Sequence, residues 1–396
     1  LRLPFFPLLL CLAALACHAA DAEAPAEAQV ELQSYAATGE AVAAVEIAQP
    51  AAPLAFSQRP EVRAFIEEMA SQHGFDAAAL TLQFDQVVEK PSILAILDRP
   101  STSRPYYAFR PNFVNDQRIR LGVAWWREHA ALLDAVSARY GVEPEYLVAI
   151  LGVETMWGRN TGTFRVMDAL STVAFGYPRR AEFFRKELRE FLLLARDEGV
   201  SPFSFRGSYA GAMGMPQFMP SSFHAYAQDW NGDGRHDIWN DTGDILASIA
   251  HYFVQHGWQA GRPLVVPAAV EGDAYGPLVE DKFNLHYRVS ELAAFGVRPA
   301  APLAGDPLAV LAPLEGAPGV TNYWLGLGNF YAITRYNRST LYAMAVHELA
   351  MATKAAYLDP SLLPPEPKPA RKAKPQRAKP NKGKAKPAAV HKGKKK

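Results

Sequence analysis

The 396-residue sequence predicts a mainly α-helical protein of the α+β class, with a small β-rich insert. Three observations predict it. Long segments carry apolar residues at helical spacing between Pro, Ser or Asn at the start and Gly at the end. Between about Gly261 and Val320 the texture changes to Pro, Gly and short apolar runs such as "LVVPAAV" and "LAVLAPLE". The composition, 49% hydrophobic and 20% charged, is that of a globular chain able to bury a sizeable core.

Residues 1–20 read as an export signal. Arg2 supplies the positive end, Phe5 to Ala16 the apolar run, and small residues follow. Cys17 follows Ala14-Leu15-Ala16, which resembles a bacterial lipobox. Cleavage before Cys17 gives a lipid-anchored protein, and cleavage a few residues later a soluble one. Cys11 and Cys17 are the chain's two cysteines, so the mature body holds no disulfide. Residues 21–56 are rich in Ala, Glu and Pro and read as a flexible linker.

The folded part starts near Ser57, a candidate cap for a helix ending at Gly74. "NDQRIRLGVAWWREHAALLDAVSARYG" reads as one long helix ending at Gly141. "EPEYLVAILGVETMWG" follows, with Pro144 in its first turn and Gly158 as its stop. Another helix runs from Pro178 to Gly199, and "PSSFHAYAQ" and "DILASIAHYFVQHG" flank a Gly/Asp-rich loop. "RSTLYAMAVHELAMATKAAY" is the last. The organisation is therefore a helical core over 57–260, the insert over 261–320, a return to the core over 321–358 and a basic tail over 359–396. From Pro364 the tail carries 13 of the 41 Lys and Arg residues and one acid, Glu366, so a net-acidic body precedes it. Such a tail solubilises, or holds the chain near anionic lipid or wall polymers. Nucleic acid is a poor partner for an exported protein.

Glu154 stands out within "AILGVETMWG". Helical spacing puts it with Leu147, Ile150, Leu151 and Trp157, on the apolar face. A carboxyl group there tends to keep its proton, and a carboxylic acid near neutral pH can protonate a leaving group. A structural ion pair with Arg159 or Arg165 is the competing reading. "GSYAGAMGMPQFMPSS" is dense in small residues that let backbone approach a ligand. Ser208 and Gln217 are its polar side chains, with Phe218 beside them. "NFYAITRYNRSTLYAM" supplies Tyr331, Tyr336, Asn337 and Tyr342, aromatic faces and an amide of the kind sugars need, although tyrosines at this spacing also suit a core. "DWNGDGRHDIWN" matches the start of a calcium loop at Asp229, Asn231, Asp233 and Gly234. Its twelfth position is Asn240 rather than Glu, so Asp241 or Asp244 has to supply the missing ligand.

These motifs, in this order, resemble the lytic murein transglycosylase B family. The resemblance covers roughly two-thirds of the chain, from "GVETMWGRNTGTFRVMDALSTVAFGYPRRAEFF" through the Gly/Met and acidic loops to "YAITRYNRSTLYAMAV". It implies a lysozyme-like helical core and cleavage of peptidoglycan glycan strands without water. It places the catalytic acid/base on Glu154. Substrate contacts fall on Ser208, Gln217, Phe218, Arg179, Arg180, Tyr252, Tyr336, Asn337 and Tyr342. Metal ligands fall on Asp229, Asn231, Asp233, Asp244 and the carbonyl of Arg235, in a loop spanning 229–244. Phe109 stands where a family member has Tyr, which keeps ring stacking and loses a hydroxyl. A structural calcium ion, no organic cofactor and a periplasmic or outer-membrane setting follow. Other cell-wall enzymes are partners that such an activity could have, and the membrane is reached through the lipid anchor alone. A water-using muramidase and a non-catalytic wall-binding protein are the alternatives.

Overall fold

The computed structural model describes residues 55–98 and 104–365. The signal, the lipobox-like Cys17, most of the linker and nearly all of the basic tail lie outside them.

In chain order the helices are α1 (Pro60–His73), α2 (Ala77–Phe84), α3 (Pro91–Leu97), α4 (Tyr106–Phe109), α5 (Asp116–Glu128), α6 (Ala130–Tyr140) and α7 (Pro144–Glu154). They continue as α8 (Val166–Gly176), α9 (Ala181–Asp197), α10 (Pro220–Tyr226), α11 (Thr242–Gln255), α12 (Gly276–Glu280), α13 (Gly328–Tyr336) and α14 (Thr340–Leu358). The strands are β1 (Phe164–Arg165), β2 (Arg206–Gly207), β3 (Val265–Val270), β4 (Tyr287–Arg288), β5 (Val297–Pro299), β6 (Leu308–Ala317) and β7 (Val320–Gly326).

Several sequence expectations are corrected here. Ser57 does not cap α1. Its hydroxyl donates to Asp85 at 2.6 Å, and Pro60 opens the helix from its first position. The single helix expected over 115–141 is two, because His129 leaves the helical region at φ −113° and ψ 19°. Asn115 caps the first by accepting from the Arg118 amide at 3.0 Å, and Gly141 ends the second in the left-handed region. The helix carrying Glu154 stops at Glu154 itself. Met156 and Trp157, two non-glycine residues in succession, have φ of 51° and 56°. Trp157 thus lies outside the helix and folds back along it, its indole Nε1 donating to the Val148 carbonyl at 3.0 Å.

α7 is the buried axis of the helical core. Every residue from Glu145 to Val153 is buried, and α5, α6, α11 and α14 surround it. A helix covered on all sides needs no amphipathic pattern, which explains its near-continuous apolar sequence. Glu145 is accommodated by the Lys354 ammonium of α14 at 2.6 Å. Close packing requires Gly152, since a Cβ there would lie 2.5 Å from the Trp157 ring.

The insert is a five-stranded antiparallel sheet in the order β4-β6-β7-β3-β5. β6 and β7 form a hairpin closed by Pro318 and Gly319, with Gly319 at φ 73°. Its last strand runs past residue 320. Alternate residues of β6 face different cores. Val310, Ala312 and Leu314 join the helical core, while Ala309 and Leu311 join a smaller cluster with Leu278, Leu292 and Leu325. Burial of both faces is why "LAVLAPLE" lacks polar alternation.

Replacing Gly152 by Ala forces the Trp157 ring outward despite the better helix propensity of Ala. We expect a loss of about 1–3 kcal/mol in urea unfolding. An unchanged midpoint would show that the ring yields freely.

Candidate functional site

Glu154 is the last residue of α7, and the turn after it is held from three sides. The Thr155 hydroxyl donates to the Met215 carbonyl at 3.1 Å and accepts from the Gly158 amide at 3.1 Å. The Trp157 amide donates to the Leu151 carbonyl at 3.1 Å. The carboxyl group therefore leaves the helix at a fixed angle, keeping part of its surface open while apolar groups crowd the rest. That burial pushes its pKa up to about 7. The Tyr342 hydroxyl, which donates to Oε1, and the Arg118 charge oppose the rise.

Arg118 is a residue that sequence reasoning missed. It is buried, donates to the Gly152 carbonyl and to the Asn112 carbonyl, and lies over the Phe113 ring at 5.5 Å. The signal was present: Arg118 shares a helical stripe with Gly122 and Trp126, a charge on an apolar face like that of Glu154. The ion pairs expected of Arg165 and Arg159 with Glu154 give way to other arrangements. Arg165 binds Asp168 at 2.7 Å, and Asp168 also accepts from the Val88 amide. Arg159 lies exposed beyond the turn.

The Gly/Met loop folds beside this turn. Isolated bridges join Gly207 to Met213 and Met213 to Phe218. Gly162 lets the two backbones meet, since a Cβ there would lie 2.0 Å from the Gly207 oxygen. The Ser208 hydroxyl accepts from the Ala212 amide at 3.0 Å. Gln217 sits at φ 54° and donates through Nε2 to the Thr161 and Gly214 carbonyls. An amide side chain held in left-handed backbone, with its NH2 fully engaged, is fixed in orientation.

Aromatic residues line the same region. Tyr336 donates to the Pro216 carbonyl at 2.6 Å, and burial and then the Glu154 charge hold its hydroxyl well above the usual tyrosine range. Its ring packs against Tyr252 at 4.8 Å and Phe218 at 5.9 Å. Asn337, buried, ends α13 directly after Tyr336. Glu154, Tyr342, Tyr336, Phe218 and Tyr252 thus form one connected group, joined to the loop of Ser208 and Gln217. Phe109 connects less directly: it is buried against Phe113 at 4.9 Å, the ring that Arg118 covers. Arg179 and Arg180 lie in a short turn before α9, with Arg180 over the Phe183 ring at 4.7 Å.

The acidic loop folds around its own carboxylates. Asp229 accepts from the amides of Gly232, Asp233 and Gly234. Asp244, nearly fully buried, accepts from the Trp230 and Asp237 amides at 2.8 Å. Burial, and after it the charges of Asp241 and Asp229, push its pKa up. Among the described residues no three acidic or His side chains converge on a single point. The donor set is nevertheless one of hard oxygens with an excess of negative charge, which suits a divalent cation such as calcium. The loop bears on the site through Ile238: Met215 donates its amide to the Ile238 carbonyl, and Gly214 lies against both that carbonyl and the Ile238 side chain.

Residues 57–351 match the family described as the transglycosylase SLT domain. The chain belongs to that family. The membrane-bound lytic murein transglycosylase B of Escherichia coli K12 is 42% identical over 311 residues, covering 76% of this chain and 84% of the relative. The structure of the catenated lytic transglycosylase SltB1 from Pseudomonas aeruginosa aligns with a TM-score of 0.72 and 48% identity, over 75% of this chain and 98% of that one. The Escherichia coli lytic transglycosylase Slt35 in complex with calcium aligns with a TM-score of 0.70 and 42% identity, over 77% of this chain and 96% of that one. The helical core of this transglycosylase is lysozyme-like, as its motifs imply.

The Tyr342 hydroxyl holds the Glu154 pKa below what burial alone gives. In the Tyr342→Phe transglycosylase the alkaline limb of the pH–rate profile should move to higher pH, with roughly tenfold lower kcat from the misplaced carboxyl. An unmoved limb would remove Tyr342 from the site.

Proposed function

We propose that Glu154 serves this peptidoglycan lytic transglycosylase as a single acid and then base in a cleavage that uses no water. The observation that carries the reading is a carboxyl group among apolar residues at the end of a buried helix, which accepts from the Tyr342 hydroxyl and whose pKa burial pushes up to about 7. Protonated, Glu154 donates to the glycosidic oxygen between N-acetylmuramic acid and N-acetylglucosamine, and the C1–O bond breaks. Ionised, it takes the proton from the muramyl 6-hydroxyl, whose oxygen bonds to C1 and closes a 1,6-anhydro ring. Hydrolysis with two carboxylates needs a second acid close by. Asp168, the acid nearest to Glu154 in the motif, is committed to Arg165 and the Val88 amide. The muramic acetamido group or a close contact steadies the positive charge at C1. Tyr336, Tyr252 and Phe218 offer ring faces to the sugars. Ser208, Gln217, Asn337, Arg179, Arg180 and Tyr342 offer polar contacts, and Phe109 contributes packing. Mass spectrometry of products from purified sacculi tests the mechanism. Anhydromuramic ends, lighter by one water than hydrolysed ends, are expected from the wild type and should vanish in Glu154→Gln. Hydrated ends would replace the scheme with that of a muramidase.

The same carboxyl group affects stability. Its folded-state pKa lies above that of an unfolded glutamate. Ionising it in the cleft therefore costs stability, by an amount that is absent below about pH 4.5 and complete above about pH 7. The Glu154→Gln protein should be more stable than wild type by about 3 kcal/mol at pH 8 and equally stable at pH 4. Equal stability at both values would mean that the group ionises without penalty.

The acidic loop, by the same reading, takes calcium through Asp229, Asn231, Asp233, Asp244 and the Arg235 carbonyl, and the ion stabilises the fold. No organic cofactor enters the scheme. The calcium complex of Slt35 supports this assignment. Saturating calcium should raise the melting temperature, by about 2–3 kcal/mol in stability at a hundredfold excess over Kd, and Asp229→Asn should abolish the gain. A calcium effect on activity with none on melting would point to regulation instead. The membrane-bound name of the Escherichia coli relative supports an envelope location, periplasmic or anchored to the outer membrane through Cys17. No helix among the described residues is long and apolar enough to cross a membrane.

A further inference from the structure

Arg335 occupies the last turn of α13, directly before Tyr336. Its guanidinium lies over the Tyr331 ring at 4.2 Å from the centroid and faces Phe283 at 6.0 Å. Its Nε is buried and has no hydrogen-bond partner. Its hydrogen bonds to side chains are to neutral hydroxyls, from Nη2 to Thr334 at 3.3 Å and to Tyr331. Among the described residues no carboxylate forms an ion pair with it. The second positive charge nearby, Arg338, repels it. The helix C-terminus favours a cation here, but this satisfies neither the idle Nε nor the like-charge pair. The group also borders the aromatic cluster already described. Its charge acts on Tyr252 and on His256, which stack at 4.1 Å, and Tyr252 meets Tyr336 at 4.8 Å.

A half-buried guanidinium held over an aromatic ring is preorganised for a planar anion. We propose that Arg335, with Arg338 beside it, receives a carboxylate carried on the muramic acid side chain of the substrate. Where the stem peptide is attached, the lactyl carboxyl is its amide and the carboxylate is one on the stem; where the peptide has been removed, it is the lactyl acid itself. The inference deepens the peptidoglycan-cleaving reading and rests on it. It makes Arg335 a binding residue for the anionic branch of the polymer, as distinct from the sugar backbone that the tyrosines face.

The test measures binding in the Glu154→Gln background, where ligands stay intact, by intrinsic tryptophan fluorescence. Three ligands are compared: glycan fragments with stem peptides, the same fragments stripped by an amidase to leave the lactyl carboxylate, and uncharged chitohexaose. Arg335→Gln should weaken the peptide-bearing fragment roughly tenfold and leave chitohexaose unchanged, with Arg335→Lys recovering part of the loss. An equal loss on the stripped fragment, which alone carries a free lactyl acid, would show that the site takes a carboxylate at the lactyl end as well as on the stem. Retention on the stripped fragment would assign it to the stem. Equal changes on all three ligands, including none, would overturn the proposal, and calorimetric melting of both variants shows whether the fold survived. Failure of the acid/base reading has a different signature: the Glu154→Gln protein would itself cleave the fragments.

Discussion

The structure turns on the abrupt end of α7 at Glu154. A helix this apolar, covered by four others, could continue; it is stopped by two successive residues with positive φ and by an indole that returns to bond the helix it has just left. Such backbone is costly unless its surroundings over-determine it. Here they do: Gly152 leaves room for the ring, Thr155 ties the turn to the Gly/Met loop, and Arg118 engages the Gly152 carbonyl. The outcome is a carboxyl group placed at the rim of the core, dry enough to hold a proton at neutral pH and open enough to deliver it. The loops, tyrosines and acidic segment are arranged around that one position.

Much of this is legible in the residues. Helix ends marked by Pro, Asn or Gly follow local chemistry, and the start of α5 at Asn115 and the end of α6 at Gly141 lie where such signals stand. The isolated Glu in an apolar run and the Ser/Gln pair among small residues also identified themselves, because each breaks the pattern around it. Three kinds of feature did not. The break at His129 is a single residue outside the helical region, which no Gly or Pro announces. The turn after Glu154 uses Met and Trp in a conformation that propensity assigns to Gly. Arg118 was overlooked because arginine at a helix surface is common, and its burial appears only once Gly122 and Trp126 are seen on the same stripe. The competing ion pair for Glu154 failed for a related reason: Arg165 had Asp168 three residues away.

Electrostatics divides the labour among the acidic residues. Asp168, Glu145 and Glu187 are buried, and each is satisfied by cations or by amide and hydroxyl donors: Arg165 and the Val88 amide, Lys354, and Ser221. Those partners keep them structural. At Glu154 the Tyr342 hydroxyl and the Arg118 charge lower the pKa, and burial outweighs both. The four also differ in exposure: Asp168, Glu145 and Glu187 are buried, while Glu154 keeps part of its surface open.

The two cores share strand β6, whose odd and even residues belong to opposite sides. A shared wall cannot be lost by one room and kept by the other. Melting of the sheet strips Val310, Ala312 and Leu314 from the helical core, and melting of the helices exposes the far face of the same strand. Insert and core are therefore coupled through the packing of one strand as well as joined by sequence.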